Sequence, residues 1–561
     1  MYDYNHADEL IGVKYYAASG ATTPEKTVSF SYDKSGNLLS YDDGTTSGSY
    51  SYDAFGRRIE TTVDYGPFQL SHSTTYAKTG RKKSLTYPDG STYKYSYNEA
   101  NRIQSVDLPD SGQITWGEYE WRRPTSVSLP GGASKSFDLD PLQRVKEITS
   151  RDPAGNKVLN RKYDYDKAGN IVSEQTGEGK HDYGYDPLDR LTQAENPVLS
   201  DEEYSYDPVG NRLTSADTNG TWSYNSNNEL LAYNNATCSF DENGNMVKRG
   251  VDGKVIRYTY NANNRLIRVE DDSGDVIAEY YYDPFGRRLW KEVDGERTYF
   301  HYSEQGLIGE FDSQGDPIRF YGYKPGSSWT TDPLFLKKDE DYYFYHNDHL
   351  GTPQKLTASN GKVVWCARYA SFGGTQLVEQ EIKNPLRFPG QYYDKETGLH
   401  YNYHRYYDPQ MGRYLREDPI GIFPGDINLY GYCLNAPINF VDPKGLFRRP
   451  GYFRNPSEEY LRDLGEEMDR RVRRFKSQTM KIGKCTVTCS ITAVLGESGY
   501  DGAIATKTWR QIGDIALKKA KKECLESITV KIGKKAIPYL GQASTAISVI
   551  KGAYCTIECS I

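Results

Sequence analysis

Long hydrophobic segments are missing from this chain. No stretch reaches 18 uninterrupted apolar residues, and residues 1–10 have neither the basic segment nor the apolar core of a secretory signal. We therefore expect no signal peptide and no standard transmembrane helix. If the protein leaves its cell, a specialised secretion system or an additional N-terminal region has to carry it.

Apolar residues are scarce overall, at 37% of 561 residues, and Phe occurs only 18 times, whereas Tyr occurs 50 times and Gly 52 times. A disordered chain is also poor in apolar residues, but 13% aromatic residues is far too many for one. The composition favours many short strands and thus a mainly β fold. The length predicts more than one folding unit.

Histidine is absent from residues 447–561, which contain five of the eight Cys residues. This tail has 21 basic and 12 acidic residues, a balance of +9, which leaves 48 basic and 64 acidic residues of the chain's 69 and 76. An acidic body therefore precedes a basic tail. Without His, the tail cannot be an HNH-type nuclease or a hydrolase with an imidazole base. A Gly-rich phosphate loop is also lacking, and we expect no cofactor.

A short motif recurs before the tail: an aromatic residue, Asp or Asn, two variable residues, Gly or Asn, then Arg or Asn and an aliphatic residue. From Tyr165 onward its copies are 16 to 22 residues apart, the length of one β-hairpin. Asp or Asn caps a tight turn, and Gly or Asn supplies a positive φ. Single hairpins are marginally stable, so we predict hairpins joined into one long sheet. The alternative is an ordinary Tyr-rich β-sandwich. Copies begin at Tyr32, Tyr52, Tyr165, Tyr206, Tyr260 and Tyr282.

This motif resembles the YD repeat of RHS proteins, teneurins and the shell subunit of bacterial Tc toxins. Further motifs resemble the RHS repeat-associated core domain, and the resemblance stops at Leu446, about four fifths along the chain. It implies a spiral β-sheet shell at 1–344, a core domain at 345–446 and a variable effector domain at 447–561. The core motifs are Tyr345-His346-Asn347-Asp348-His349-Leu350-Gly351-Thr352-Pro353, Phe388-Pro389-Gly390-Gln391-Tyr392-Tyr393-Asp394, Gly398-Leu399-His400-Tyr401-Asn402, Arg405-Tyr406-Tyr407-Asp408-Pro409 and Gly412-Arg413-Tyr414.

Two Asp-Pro-x-Gly motifs, beginning at Asp418 and Asp442, resemble the aspartyl self-cleavage site of RHS proteins. The resemblance implies that Asp418 and Asp442 catalyse a single cut between Leu446 and Phe447. Two carboxylates held close do not both ionise readily, so one keeps its proton as general acid while the other activates water. The same tetrapeptide elsewhere in the chain is a turn, but only the last pair adjoins the change in composition. The gap between the two motifs, 20 residues, is slightly longer than is usual in the family.

His346 and His349 are spaced like a pair of metal ligands, but neither a nearby Cys nor a third His completes a site. A role in a turn or in packing is favoured, and we expect no metal.

Residues 457–476 have the apolar spacing of an amphipathic helix, and further helices are expected at about 503–527 and 536–550. The shell therefore encloses or precedes a small, mostly α-helical domain. The tail also repeats a Cys-x3-Cys segment, at 485–489 and 555–559. Zinc binding, disulfides between the two pairs and plain buried thiols all fit this spacing.

Two non-enzymatic activities fit the tail. Residues 536–557 are largely apolar and the Lys clusters at 518–522 and 531–535 could bind anionic lipid, so our leading expectation is a membrane-perturbing antibacterial toxin. Nucleic-acid binding by the basic helices is the second. A His-free nuclease or another enzyme using Glu497, Asp501 or Asp514 stays open.

The resemblance implies a shell that encloses a toxin used in competition between bacteria and releases it by self-cleavage. We expect a cognate immunity protein as partner, and secretion machinery or a missing N-terminal adaptor region for delivery into target cells. Since Met1 lies among the repeats, we expect a truncated or displaced cassette whose shell is open at one end. An adhesion or structural protein, as for teneurins, is the alternative.

Overall fold

The structure, a computed structural model, describes residues 1–16, 22–121, 123–215, 220, 222–421 and 428–446, and the backbone of five short strands between 449 and 559. The chain forms two compact units, Met1–Arg454 and Asn455–Ile561. Strands dominate the described residues of the first unit, which confirms the mainly β fold expected from the composition.

The first sheet of the first unit is antiparallel and begins at the N-terminus. Strands β12 and β13 pair with each other beside it, and the other twenty described strands form the sheet. The strands are β1 (Tyr2–Tyr4), β2 (Leu10–Tyr15), β3 (Lys26–Tyr32), β4 (Leu38–Asp42), β5 (Ser47–Tyr52), β6 (Arg58–Asp64), β7 (Gln69–Tyr76), β8 (Lys82–Thr86), β9 (Thr92–Tyr97), β10 (Ile103–Leu108), β11 (Gly112–Trp116), β12 (Tyr119–Glu120), β13 (Arg123–Pro124), β14 (Ser126–Ser128), β15 (Ser134–Leu139), β16 (Val145–Arg151), β17 (Lys157–Tyr165), β18 (Ile171–Thr176), β19 (Gly179–Tyr185), β20 (Leu191–Glu195), β21 (Glu202–Tyr206) and β22 (Arg212–Ser215).

The second sheet is a meander of sixteen described strands in which each strand pairs with the next. The sequence predicted a domain boundary between residues 344 and 345, but one strand of this sheet, Asp341–Asn347, spans that position. Its strands are β23 (Ser223–Tyr224), β24 (Leu230–Tyr233), β25 (Ala236–Phe240), β26 (Met246–Val251), β27 (Lys254–Tyr260), β28 (Leu266–Glu270), β29 (Val276–Tyr282), β30 (Arg288–Val293), β31 (Glu296–Ser303), β32 (Gly306–Phe311), β33 (Pro317–Tyr323), β34 (Pro333–Lys338), β35 (Asp341–Asn347), β36 (Pro353–Ala358), β37 (Val363–Tyr369) and β38 (Thr375–Gln380).

The last four core-domain motifs, from Phe388 onward, contribute a small four-stranded sheet, which is followed by a short strand pair. The sheet consists of β39 (Tyr392–Asp394), β40 (Leu399–Asn402), β41 (Arg405–Asp408) and β42 (Arg413–Tyr414), and the pair of β43 (Phe440–Val441) and β44 (Arg449–Pro450). Short 3-10 turns lie at Pro130–Gly132 and Cys433–Asn435.

The turn of each repeat has the chemistry that the motif predicts. In the copy at Tyr52, Asp53 Oδ1 accepts hydrogen bonds from the backbone N–H groups of Phe55 at 2.9 Å and Arg57 at 3.0 Å. Gly56 adopts a φ of +73°, and in the copy at Tyr260 Asn264 fills the same role with a φ of +55°. The Asp carboxylate replaces a backbone acceptor, and the left-handed residue reverses the chain.

The repeat tyrosines, which are the first residues of the motif copies, bind one repeat to the one before it. The hydroxyl of Tyr52 donates to the carbonyl of Leu38 at 2.8 Å, and that of Tyr206 to the carbonyl of Leu191 at 2.7 Å. Phenylalanine could not make this bond, which explains the excess of Tyr over Phe. The same bond to a preceding carbonyl is made by Tyr32, Tyr165, Tyr185, Tyr224 and Tyr282.

The two large sheets pack face to face through a shared aromatic core. Tyr93 of the first sheet stacks on Phe335 of the second, with ring centroids 5.0 Å apart. The hydroxyl of Tyr65 donates to the carbonyl of Phe300 at 2.8 Å, 235 residues later. Alternate residues of the first sheet, such as Ser31 and Ser40, form hydrogen bonds on its exposed face. One face of this sheet is therefore buried and the other solvated.

The second unit contains a four-stranded antiparallel sheet in its described part, made of β45 (Gln478–Ile482), β46 (Cys485–Ile491), β47 (Thr545–Ile550) and β48 (Ala553–Cys559). The helix predicted at 536–550 is wrong over its last six residues, where β-branched side chains at Thr545, Ile547 and Val549 favour a strand. The predicted helices at 457–476 and 503–527 lie outside the described residues. The tail residues that the structure does describe form strands and not the helices of a mostly α-helical domain.

Candidate self-cleavage site

The two predicted catalytic aspartates come together on one arginine. Asp418 follows β42, and Asp442 follows β43. Nη2 of Arg405, the first residue of β41, lies 2.8 Å from Oδ2 of Asp418 and 3.3 Å from Oδ2 of Asp442. Carboxylates that are 24 residues apart in the chain thus share one guanidinium nitrogen.

Arg405 also holds the end of the core domain in place. Its Nε donates to the carbonyl of Gly445 at 2.6 Å, and its Nη1 to the carbonyl of Leu429 at 2.9 Å. The side chain is only 3% exposed. Arg405 therefore joins the residue that precedes Leu446 to both aspartates, and charge-assisted bonds of this kind are stronger than neutral ones.

Asp442 accepts further bonds on both carboxylate oxygens. The hydroxyl of Tyr414 donates to Oδ2 at 2.8 Å, and the backbone N–H of Leu446 donates to Oδ1 at 3.0 Å. Nδ2 of Asn402 donates to the carbonyl of Asp442 and to the hydroxyl of Tyr414, each at 2.8 Å. The carboxylate of Asp442 is thereby fixed beside the amide nitrogen of the residue whose carbonyl would be attacked.

The electrostatics of the site depend on Arg405 and Tyr414. A guanidinium placed between two carboxylates reduces the repulsion between them. Burial and the negative charge of Asp442 raise the pKa of Tyr414 well above its usual value, so its hydroxyl stays neutral and able to donate. The resulting site is a pair of acids, one buried and one partly exposed, with a neutral donor and a cation beside them.

Two glycines, one in a core motif and one in the second Asp-Pro-x-Gly motif, leave room for the end of the core domain. Gly390 has a φ of +84°, and a Cβ added there would lie 2.0 Å from the carbonyl oxygen of Pro443. Gly445 has a φ of +65°, and its Cβ would lie 2.6 Å from the carbonyl oxygen of Asn402. Both distances are too short for any side chain. The segment that carries Asp442 therefore requires glycine at position 390, which lies against Pro443, and at position 445, which lies against Asn402.

The other residues singled out in the sequence are placed as follows. Leu446 lies next to Asp442 through its backbone N–H, whereas Phe447 lies outside the described residues. His346 is 2.9 Å from the hydroxyl of Thr357, and His349 is 2.9 Å from the carbonyl of Ile438. Among the described residues, no group of three or more potential ligands surrounds a common metal position.

Sequence reasoning did not assign roles to Arg405, Tyr414 and Asn402. All three residues lie inside the core motifs, but the motifs do not indicate that Arg405 and Tyr414 bind the carboxylate of Asp442 or that Asn402 binds Tyr414. That meeting depends on how the four-stranded sheet packs against the segment after β43.

A long antiparallel sheet of Tyr-Asp hairpins, ended by a compact core domain, defines a YD-repeat shell protein. The sequence profile of the teneurin YD-shell family matches residues 3–121 and 154–438, and the chain belongs to this family. This match agrees with the resemblance of the repeat and core motifs to those of RHS/YD-repeat proteins.

Several curated relatives are named as bacterial toxins and match about half of this chain. Double-stranded DNA deaminase toxin A of Burkholderia cenocepacia is 32% identical over 56% of this chain and 25% of its own length. Toxin protein Tse5 of Pseudomonas aeruginosa is 29% identical over 54% of this chain and 28% of its own. The probable deoxyribonuclease RhsA of Dickeya dadantii is 30% identical over 54% and 22%. The chain thus spans about a quarter of the length of these relatives.

Solved structures of Tc toxin shells have the same fold. A crystal structure of a TcdB2-TccC3-Cdc42 complex matches 79% of this chain with a TM-score of 0.65, 17% identity and 26% of its own length covered. TcdB2-TccC3 without its hypervariable C-terminal region matches equally well, with a TM-score of 0.65 over 79% of this chain. The regions described above therefore form part of a YD-repeat shell. Within the described residues, no helix has the length and apolar character needed to cross a membrane.

Proposed function

We propose that residues 1–446 form a shell that encloses the tail and releases it by cutting the chain once, between Leu446 and Phe447. The observation that carries this proposal is the shared Arg405, which holds Asp418, Asp442 and the carbonyl of Gly445 together. If the two Asp-Pro-x-Gly motifs served only as turns, nothing would require their carboxylates to bind the same buried guanidinium.

The geometry supports hydrolysis by a carboxylate pair. One aspartate takes a proton from a water molecule, whose oxygen attacks the carbonyl carbon of Leu446. The other aspartate delivers a proton to the amide nitrogen of Phe447 as the C–N bond breaks, which leaves a new carboxylate at Leu446 and a new amine at Phe447. The hydrogen bond from the N–H of Leu446 to Asp442 holds that carboxylate within reach of the attacked carbonyl.

Intact-mass spectrometry of the purified full chain tests this step. The wild type should give two fragments that separate after Leu446, and Asp418→Asn and Asp442→Asn should each remain uncut because neither carboxylate can replace the other. Asp152→Asn is the matched control, since it removes the Asp of another Asp-Pro-x-Gly turn and should leave cleavage unchanged. An uncut wild type, or cutting in both single variants, would exclude the proposal.

The released tail acts, on this proposal, as an antibacterial toxin that perturbs membranes through its apolar segment at 536–557 and its Lys clusters. Several amphipathic segments have to associate, because the apolar run is too short and interrupted for a stable single span. A nucleic-acid enzyme is the second candidate, favoured by relatives named as a DNA deaminase, a deoxyribonuclease and a tRNA nuclease.

Expression of residues 447–561 in a bacterium, with and without a periplasmic signal, separates these activities. Killing with rapid loss of membrane potential would support the membrane-perturbing tail. Killing at intact potential with damaged RNA or DNA would support the enzyme, and harmless expression would favour the adhesion or structural alternative. The full chain with Asp442→Asn, which keeps the tail attached, is the matched control and should be less toxic.

We further propose that a cognate immunity protein neutralises the tail and that a specialised secretion system delivers the chain into target cells. The acidic body and the basic tail support enclosure, because opposite charges attract across the inner surface of a shell. Co-expression of the neighbouring open reading frame should restore growth in the experiment above, and unchanged killing would exclude that partner.

A further inference from the structure

A small buried cavity lies next to the candidate self-cleavage site. Its volume is about 10 Å³, which is room for one ligand of the size of a water molecule. The walls come from the repeat turn at 260–266 of the second sheet and from core-domain segments at 403–406 and 415–416. Three of the lining residues are arginines, namely Arg265, Arg405 and Arg416.

Among the described residues, Arg405 is the one of these three arginines that pairs with carboxylates. Arg405 binds both Asp418 and Asp442. Arg265 donates to the carbonyls of Tyr403 and His404 at 3.1 and 3.0 Å and to Nδ1 of His404 at 2.8 Å, all of them neutral acceptors.

Arg416 likewise donates to the carbonyls of Asn263 and Asn264. Within the described part of the chain, neither Arg265 nor Arg416 forms an ion pair with a carboxylate. A buried positive charge, that of Arg416, and a half-buried one, that of Arg265, therefore lie here without an ion-pair partner among the described residues, and an unpaired charge is costly in a protein interior.

Two unpaired donors line the same cavity. Arg416 is 7% exposed, and its Nε has no hydrogen-bond partner. The hydroxyl of Tyr260 is buried and has none either. Tyr260 is a repeat tyrosine, yet it does not make the bond to a preceding carbonyl that Tyr52, Tyr206 and the others make. An unsatisfied buried donor costs about 1–3 kcal/mol, so an acceptor is expected between these two groups.

The positive potential of the cavity is visible in the neighbouring ionisable groups. Burial and the charges of Arg265 and Arg405 lower the pKa of Arg416 to about 10, and the charge of Asp418 offsets this only in part. Burial and the same arginines hold the pKa of His404 well below its usual value. The imidazole of His404 is thus neutral and adds no further charge, but it supplies no negative charge either.

We propose that this cavity binds one small monovalent anion, of the size of chloride, between Nε of Arg416 and the hydroxyl of Tyr260. The anion supplies the negative charge that Arg265 and Arg416 lack, and it accepts the two unpaired hydrogen bonds. Sulfate and phosphate, with four oxygens each, exceed the room available. This site concerns binding and stability, so it stands independently of whether the chain cuts itself.

Thermal unfolding of the full chain tests the proposal, because a ligand that binds only the folded state raises its stability. At equal ionic strength, the melting temperature should be higher in sodium chloride or bromide than in sodium gluconate, whose anion is too large, and the increase should saturate with concentration. Tyr260→Phe should require about tenfold more chloride for half of the effect. Tyr206→Phe, at a repeat tyrosine that has its carbonyl partner, is the matched control and should not change that concentration.

Arg416→Gln removes one of the two charges and should abolish the difference between chloride and gluconate. Equal melting temperatures of the wild type in the two salts, or an undiminished difference in Tyr260→Phe, would overturn the proposal. A structure determined in sodium bromide provides a second measurement that does not depend on how well the variants fold. An anomalous bromine peak between Arg416 and Tyr260 is expected, and a water molecule at that position without such a peak would overturn the proposal as well.

Discussion

Arg288 and Asp394 form a two-bond ion pair between the second sheet and the core domain, with both side chains fully buried. Nη1 of Arg288 lies 2.5 Å from Oδ2 of Asp394, and Nη2 lies 3.0 Å from Oδ1. Burial disfavours both charges, but the carboxylate of Asp394 holds the pKa of Arg288 well above its usual value, and Arg288 lowers that of Asp394. This pair fixes β39, the first strand of the small four-stranded sheet, against β30 of the second sheet.

Removal of one partner of this pair should strongly destabilise the first unit. Asp394→Asn leaves the Arg288 guanidinium buried without its counter-charge, and we expect a loss of about 3–5 kcal/mol in the free energy of unfolding. Glu292→Gln breaks the exposed pair with Arg297 and should cost less than about 1 kcal/mol. Urea denaturation of the two variants measures both values. Equal losses of unfolding free energy in the two variants would show that the buried Arg288–Asp394 pair matters no more for stability than the exposed Arg297–Glu292 pair.

The hydroxyl of a repeat tyrosine should stabilise the fold only where it has a carbonyl partner. Tyr206→Phe removes the bond to Leu191, and we expect a loss of about 1 kcal/mol. Tyr260→Phe removes a hydroxyl that has no partner in the protein, and in a gluconate buffer without halide it should cost no more than a few tenths of that. Chemical denaturation in that buffer compares them, and a larger loss for Tyr260→Phe would contradict this account of the repeat.

The hydroxyl of Tyr414 should speed self-cleavage by orienting Asp442. Tyr414→Phe keeps the ring against Arg405 but loses the bonds to Asp442 and Asn402. Loss of a hydrogen bond to a charged group is worth about 1.5–3 kcal/mol, so cleavage should be about 10 to 100 times slower. The rate is measured by following the appearance of the cut chain during cell-free synthesis. Tyr206→Phe serves as control, and an unchanged rate in Tyr414→Phe would remove this residue from the site.

Acid should destabilise the first unit well before its carboxylates are titrated. Nδ1 of His72 lies 2.9 Å from Nε2 of His301, and burial lowers the pKa of His72 to about 3. Burial also lowers the pKa of His400 to about 3. When the folded-state pKa lies below the ordinary value of 6.5, the unfolded chain takes up the proton first.

The contribution of these groups to stability is therefore complete above pH 6.5 and declines as the pH falls from 6.5 toward 3. One unit of pKa difference corresponds to about 1.4 kcal/mol, so several kcal/mol should be lost by pH 4. Urea midpoints between pH 7.5 and 4 test this. His72→Gln should give a shallower decline, and a flat wild-type profile would contradict it.

The repeat and its turns were predictable because their chemistry is local. Asp53, Gly56 and their equivalents act within five residues, and the Tyr period alone indicated hairpins joined into a sheet. The two aspartates were also identified from their motifs. In the tail, by contrast, apolar spacing suggested a helix at 536–550, whereas β-branched side chains and pairing with β48 place Thr545–Ile550 in a strand.

The sequence by itself therefore determined the repeat and the aromatic composition of the core, since each depends on neighbouring residues, whereas the two aspartates were singled out by the resemblance of their motifs to the RHS self-cleavage site. Only the tertiary structure decided that Asp418 and Asp442 share Arg405, that Tyr260 lacks the bond of the other repeat tyrosines, and that Arg416 faces Arg265 across a small cavity. Arg416 binds the carbonyl of Asn264, 152 positions earlier, and the packing of the end of the core domain on the second sheet brings such residues into contact.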